Sequence, residues 1–154
     1  MKSSSLILAL LLIAGVAFGQ KSNYKAPVLT GKYMKDLGLA DKQFTKKAEG
    51  VWTAAGGVTI YSSHPYGDDI KGFGGSTPLF IAVDKRGKIL AVAPAVNMET
   101  PDFWHAVLNS KLFQTWRGLT LQQAATLKVN AVTGATYSSV AVIKTVQATA
   151  KNVK

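Results

Sequence analysis

The residues best suited to chemistry lie at 133–139, Thr133-Gly134-Ala135-Thr136-Tyr137-Ser138-Ser139. Four hydroxyls, those of Thr133, Thr136, Ser138 and Ser139, fall within seven positions. A short apolar run at 127–132 predicts a strand before them, and helical periodicity from Val140 predicts a helix after them. The segment therefore reads as a small-residue turn at a helix start. A helix N-terminus carries unpaired N–H groups and a partial positive charge, so it attracts phosphate. Gly134 and Ala135 leave room for a bulky group, and Gly134 can take backbone angles closed to other residues. Two readings stand together here: a phosphate seat holding a threonine hydroxyl, and an ordinary hydroxyl cap. Threonine alone is a poor nucleophile. No neighbouring base and no Ser-His-Asp arrangement is visible, so self-catalysed acyl chemistry is not expected.

Two further stretches carry candidate groups. Gly72-Phe73-Gly74-Gly75 is a flexible loop with a single aromatic, and by local rules it is a turn. Glu99-Thr100-Pro101 has the form of a helix start, with Thr100 as cap and Pro101 at the first helical position. Those rules leave Glu99 unexplained. The chain has no cysteine, which excludes disulfides, thiolate-held iron–sulfur clusters and c-type haem attachment. Its two histidines are His64, expected in a loop, and His105, expected on a helix surface. No ligand spacing accompanies them, so no metal site is predicted. Trp104 and Trp116 are expected in the core.

The elements that must position these groups follow from local patterns. Residues 51–53 and 58–62 flank Ala54-Ala55-Gly56-Gly57 and predict a hairpin. Residues 78–83 and 88–93 predict a second one around Asp84-Lys85-Arg86-Gly87. A helix is predicted over 101–110 with Phe103, Trp104, Val107 and Leu108 on one side, and a helical piece over 111–116. A short helix capped by Thr120 is predicted through Leu127. The last helix, over 140–152, should turn Val140, Ile143, Val146 and Ala150 inward. A short helix is also expected over 35–47. Hairpins followed by helices imply an α+β fold, a mostly antiparallel sheet with helices against one face.

The first residues have the form of a secretory signal over 1–19. Lys2 precedes an apolar run at 6–18, and Ala17 and Gly19 have the spacing a signal peptidase needs, which places cleavage before Gln20. The run is short for a membrane span of about 20 residues, with an uncleaved anchor as the alternative. Residues 20–50 read as a linker with a short helix. Removing the leader from the 154 residues leaves 135, one domain by size. The net charge is +10, with lysines scattered and small clusters at Lys46-Lys47 and toward the C-terminus. No nucleic-acid motif accompanies it. The charge reads as a solvated basic surface, or as attraction to an acidic redox partner or to membrane lipid.

Thr133-Gly134-Ala135-Thr136-Tyr137-Ser138 resembles the flavinylation motif of the FMN-binding domain family, which includes flavin-carrying subunits of the sodium-pumping NADH:quinone reductase and of the Rnf complex. The 72–75 loop, the 81–89 hairpin and Glu99-Thr100-Pro101 resemble it in the same order, so the likeness covers residues 51–147. It implies an FMN-binding domain over 51–154 with FMN joined covalently to Thr136 through a phosphoester. A flavin transferase using FAD and a metal ion would attach it. Beside Gly134 and Ala135, the hydroxyls of Ser138 and Ser139, and then Thr133, are candidate donors to the attached phosphate. The resemblance favours close approach of Phe73, Gly74 and Gly75 to the isoalloxazine ring. Glu99 touches the ring or holds the loop, and Thr100, explained as a helix cap, is counted with the cofactor-binding residues. The implied role is an extracytoplasmic flavoprotein, periplasmic or secreted, relaying electrons between redox partner proteins. Non-covalent FMN binding, or a binding module with a decayed site, are the alternatives. One departure stands out: the family usually has Asp where this chain has Asn130.

Overall fold

The computed structural model describes residues 26–153. The expectations for the signal segment at 1–19, the start of the linker and Lys154 lie outside them. Five strands, β1 (Phe44–Ala48), β2 (Val51–Ala54), β3 (Val58–Ser62), β4 (Leu79–Val83) and β5 (Ile89–Pro94), form one antiparallel sheet in chain order. Both expected hairpins are present. The β2–β3 turn closes on the Ala54–Val58 pair, and β4 and β5 pair from Leu79–Pro94 to Val83–Ile89.

The two-residue period of β4 explains how the layers stack. Leu79, Ile81 and Val83 point into one core; Phe80 and Ala82 point into another. All five are buried. Full burial of an apolar side chain of this size contributes about 1.5–3 kcal/mol, so β4 anchors both layers. The first core is covered by α2 (Pro101–Asn109), a 3₁₀ turn at Leu112–Gln114, α3 (Leu121–Thr126) and α4 (Thr136–Asn152). Trp116, Val107, Val142 and Val146 fill it. The second core is closed by Leu29, Leu39 and the residues Tyr33, Met34 and Leu37 of α1 (Gly31–Asp36) and its cap. Phe80 meets Tyr33 at 4.9 Å and Trp52 edge-on at 5.8 Å. The fold is α+β as expected, but helices cover both faces of the sheet, not one.

Three local expectations are corrected. The helix over 35–47 is replaced by α1, which ends at Asp36, and by β1. The sequence of β1 is polar because it is an edge strand with four of five residues exposed, and lysines suit such an edge. The strand over 127–132 does not form. Its alternating half-buried residues pack on the first core, while the outer edge of β5 is taken by 118–120: Gly118 N donates to Ile89 O and Ile89 N to Leu119 O, both at 2.8 Å. The last helix begins at Thr136, four residues before Val140. Thr120 caps α3 as expected, with a reciprocal capping box: its hydroxyl accepts from Gln123 N at 3.1 Å, and Gln123 Oε1 accepts from Thr120 N at 2.9 Å.

Candidate functional site

Three stretches far apart in sequence meet at Glu99. Its side chain is buried, at 7% exposure. Oε1 accepts from Gly74 N at 2.8 Å and Gly75 N at 3.1 Å. Oε2 accepts from Phe73 N at 3.1 Å and from the Ser138 hydroxyl in a short hydrogen bond. The three amides can only donate, so both carboxyl oxygens act as acceptors. Glu99 is itself set by an Asx turn, its amide donating to Asn97 Oδ1 at 3.0 Å. One side chain thus fastens the 72–75 loop to the start of α4.

The glycines of that loop serve this contact. A Cβ on Gly74 would stand 2.0 Å from Met98 O, and one on Gly72 would stand 2.6 Å from Glu99 Oε1. The close approach they permit is to the backbone and carboxylate at 98–99. Gly72 N donates to Gly75 O at 2.7 Å and closes the loop.

Thr136 is the first residue of α4 and is exposed. Its hydroxyl makes no hydrogen bond among the described residues, and the amides of Thr136, Tyr137 and Ser138 meet no backbone acceptor there. Ala135, buried at 3%, takes the cap position without a capping side chain. Gly134 before it has φ +81° and open space where a Cβ would lie. The free amides are therefore left to whatever occupies the helix start.

Two clefts open on either side of Thr136 and Tyr137. The first, about 170 Å³, is lined by Phe73, Phe103, Gly134, Ala135 and Ser138 together with those two. Phe73 and Phe103 meet edge-on at 5.1 Å and 82°, and Phe73 and Tyr137 are largely exposed. The second cleft is lined by Asp69, Ile70, Lys71, Val140, Ala141 and Lys144, again with Thr136 and Tyr137.

The remaining expected residues fall into place less uniformly. Ser138 is spent on Glu99. Ser139, fully buried, donates toward Ala135 O at 2.8 Å and accepts from Val132 N at 2.9 Å, tying the turn to the helix. Thr133 is exposed in the turn and lines neither cleft. Thr100 occupies the cap position of α2, but its side chain makes no capping hydrogen bond; its carbonyl accepts from Trp104 N at 2.9 Å. Trp116 is fully buried, and Trp104 packs edge-on against Phe113. His64 lies in a loop, 2.6 Å from Asp68, and His105 is exposed on α2. Asn130 is exposed in the connection before the turn. Among the described residues no cluster of His, Asp or Glu could hold a metal ion. Sequence reasoning missed Phe103, Tyr137, Lys71 and Lys144 as cleft residues. The helical period of α2 only places Phe103 on one side with Trp104, Val107 and Leu108, and nothing local separates the two lysines from the other sixteen basic residues.

A family described as FMN-binding domain matches residues 72–151, a span that holds the 72–75 loop, Glu99 and the start of α4. No curated protein matches the chain.

Proposed function

The chain belongs to the FMN-binding domain family, and on that premise we propose that it is an exported electron carrier with FMN bonded to Thr136. The observation that carries the reading is Thr136 itself: an exposed hydroxyl without a partner among the described residues, at a helix start whose first three amides also lack one there, on the lip of an aromatic cleft. The residues suit a ligand with an apolar planar end and an anionic end. Phe73, Phe103 and Tyr137 would line the ring. The amides of α4 would orient the phosphate, a contribution of about 0.3–1 kcal/mol at an exposed site.

Among the described residues no base is hydrogen-bonded to the Thr136 hydroxyl, so attachment calls for a flavin transferase. The Thr136 oxygen would bond to phosphorus as the diphosphate bond of an FAD donor breaks and AMP leaves. The hydroxyl proton passes to a base on the transferase. Bound FMN supplies one- and two-electron chemistry. The first cleft is smaller than the about 300–1,000 Å³ of pockets that enclose a ligand, which leaves part of the ring for redox partner proteins to approach. A covalent link suits an extracytoplasmic setting, where free flavin is dilute. The Lys2 and 6–18 pattern supports export, with membrane association through that segment as a variant. Among the described residues no helix is long and apolar enough to cross a membrane.

Mass spectrometry of protein co-produced with a flavin transferase should show FMN less one water on the peptide containing Thr136. Thr136→Val should remove the gain and keep the fold; an undiminished label in that variant would sink the assignment. Asn130, where the family usually has Asp, favours one second reading, an exported binding or structural module whose FMN site has decayed. Asn130→Asp should then raise the flavinylated fraction at limiting transferase.

A further inference from the structure

The second cleft has no part in the reading above, yet it shares Thr136 and Tyr137 with the first. Its other lining is set by the periodicity of α4. Thr136, Val140 and Lys144 stand at i, i+4 and i+8, one row on the helix surface. Lys144 is exposed at the far end of that row and lines the same cleft as Thr136 and Val140. Lys71 comes from the opposite wall. It is fixed by its bond to Asp68 O at 2.6 Å and by its bridge with Ser76, at the base of the loop that Glu99 holds. The ion pairs among the described residues are Lys32–Asp36, Lys46–Glu49, His64–Asp68 and Arg86–Asp84. Lys71 and Lys144 thus meet no carboxylate partner. Asp69 also lines the cleft, so two cations and one anion leave it with a net positive charge beside the free amides of α4.

We propose that Lys71 and Lys144 form the anion-recognising half of the site and select the phosphorylated flavin: the ring enters the aromatic cleft, and the phosphate faces the lysine cleft across Thr136. This rests on the FMN reading and goes beyond it. It makes recognition of the phosphate a property of this chain before any bond forms, independent of the transferase. It also divides the ligand by physics, apolar plane to apolar wall and dianion to cations, with Thr136 on the ridge between them.

The test uses the full chain made without a transferase and titrated with FMN and with riboflavin, which lacks the phosphate. FMN should bind about tenfold more tightly than riboflavin, the joint effect of two partly exposed cations and a helix terminus. The preference should shrink as salt is raised. Lys71→Met with Lys144→Met should bring the ratio close to one while riboflavin affinity stays unchanged. Lys71→Arg with Lys144→Arg should restore the preference, which separates charge from fold. A ratio unchanged in the methionine variant overturns the lysine assignment and leaves the FMN reading standing. Failure of the unaltered chain to bind either flavin overturns this proposal and leaves covalent attachment, read by mass spectrometry, standing.

Discussion

Two carboxylates in this molecule gather the amides of a glycine turn, and they do so at very different range. Asp84 Oδ1 accepts from Lys88 N at 2.9 Å and Arg86 N at 2.8 Å, within its own hairpin. Glu99 does the same for Phe73, Gly74 and Gly75 from 24 to 26 residues away, and adds Ser138 from another 39 residues on. The Asp84 turn forms as soon as its two strands meet. The 72–75 loop has its shape only when β5, the 95–99 segment and α4 are all in place. A turn closed locally serves the fold; one closed from a distance can report, at the site, that the fold is complete.

Substitutions can break this contrast. Gly74→Ala should have the largest effect, because its Cβ would collide with Met98 O and push the loop off Glu99, leaving a buried carboxylate short of donors. A loss of about 3 kcal/mol in chemical denaturation is expected, with flavinylation falling in parallel. Glu99→Ala should cost less, about 2 kcal/mol, since the freed amides can reach water once the charge is gone. It should lower flavinylation as much as Gly74→Ala does, because Phe73 is no longer fixed opposite Thr136; full flavinylation of the alanine variant would refute the positioning role.

The local turn should respond more weakly. Gly87 has φ +77° with open space around it, so Gly87→Ala meets only backbone strain, about 1 kcal/mol, with no change in flavin content. The smallest effect should come from protonation of Asp84. The Lys88 amide first, then the Arg86 amide and guanidinium, hold its carboxyl below the ordinary range. A depressed folded value means stability present above the unfolded value and lost as pH falls through the folded one. Asp84→Asn should flatten that acid limb and leave neutral pH nearly unchanged, as thermal melts across the acid range would show.

The same difference in range decides what was legible in the sequence. The β2–β3 and β4–β5 hairpins, α2 and the capped α3 are written in neighbours: turn residues, Thr120 with Gln123, Pro101 at a first helical position. The 72–75 loop and Glu99-Thr100-Pro101 are each visible in the sequence, but nothing local says that one binds the other, so the sequence alone does not separate a ligand contact at Glu99 from a hold on the loop. The hydroxyls of Ser138 and Ser139 looked free as donors because their acceptors, Glu99 and Ala135 O, are set by tertiary structure. The run at 127–132 has strand-like alternation, but residues 118–120 already take the outer edge of β5 at Ile89. The second core was hidden for a related reason. Leu29, Tyr33, Met34, Leu37 and Leu39 are apolar residues dispersed in a polar segment, and only the underside of the sheet reveals what they cover.

Thr136 is the first residue of a 17-residue helix whose following turns are buried in the first core. A prosthetic group bonded there has no swinging arm. It stands on a post fixed to the body of the protein, unlike a carrier on a flexible tether that visits its partners in turn. The gap an electron must cross would then be set by how closely a partner docks against Phe73 and Tyr137, and turnover should follow encounter rates rather than the internal motion of the carrier.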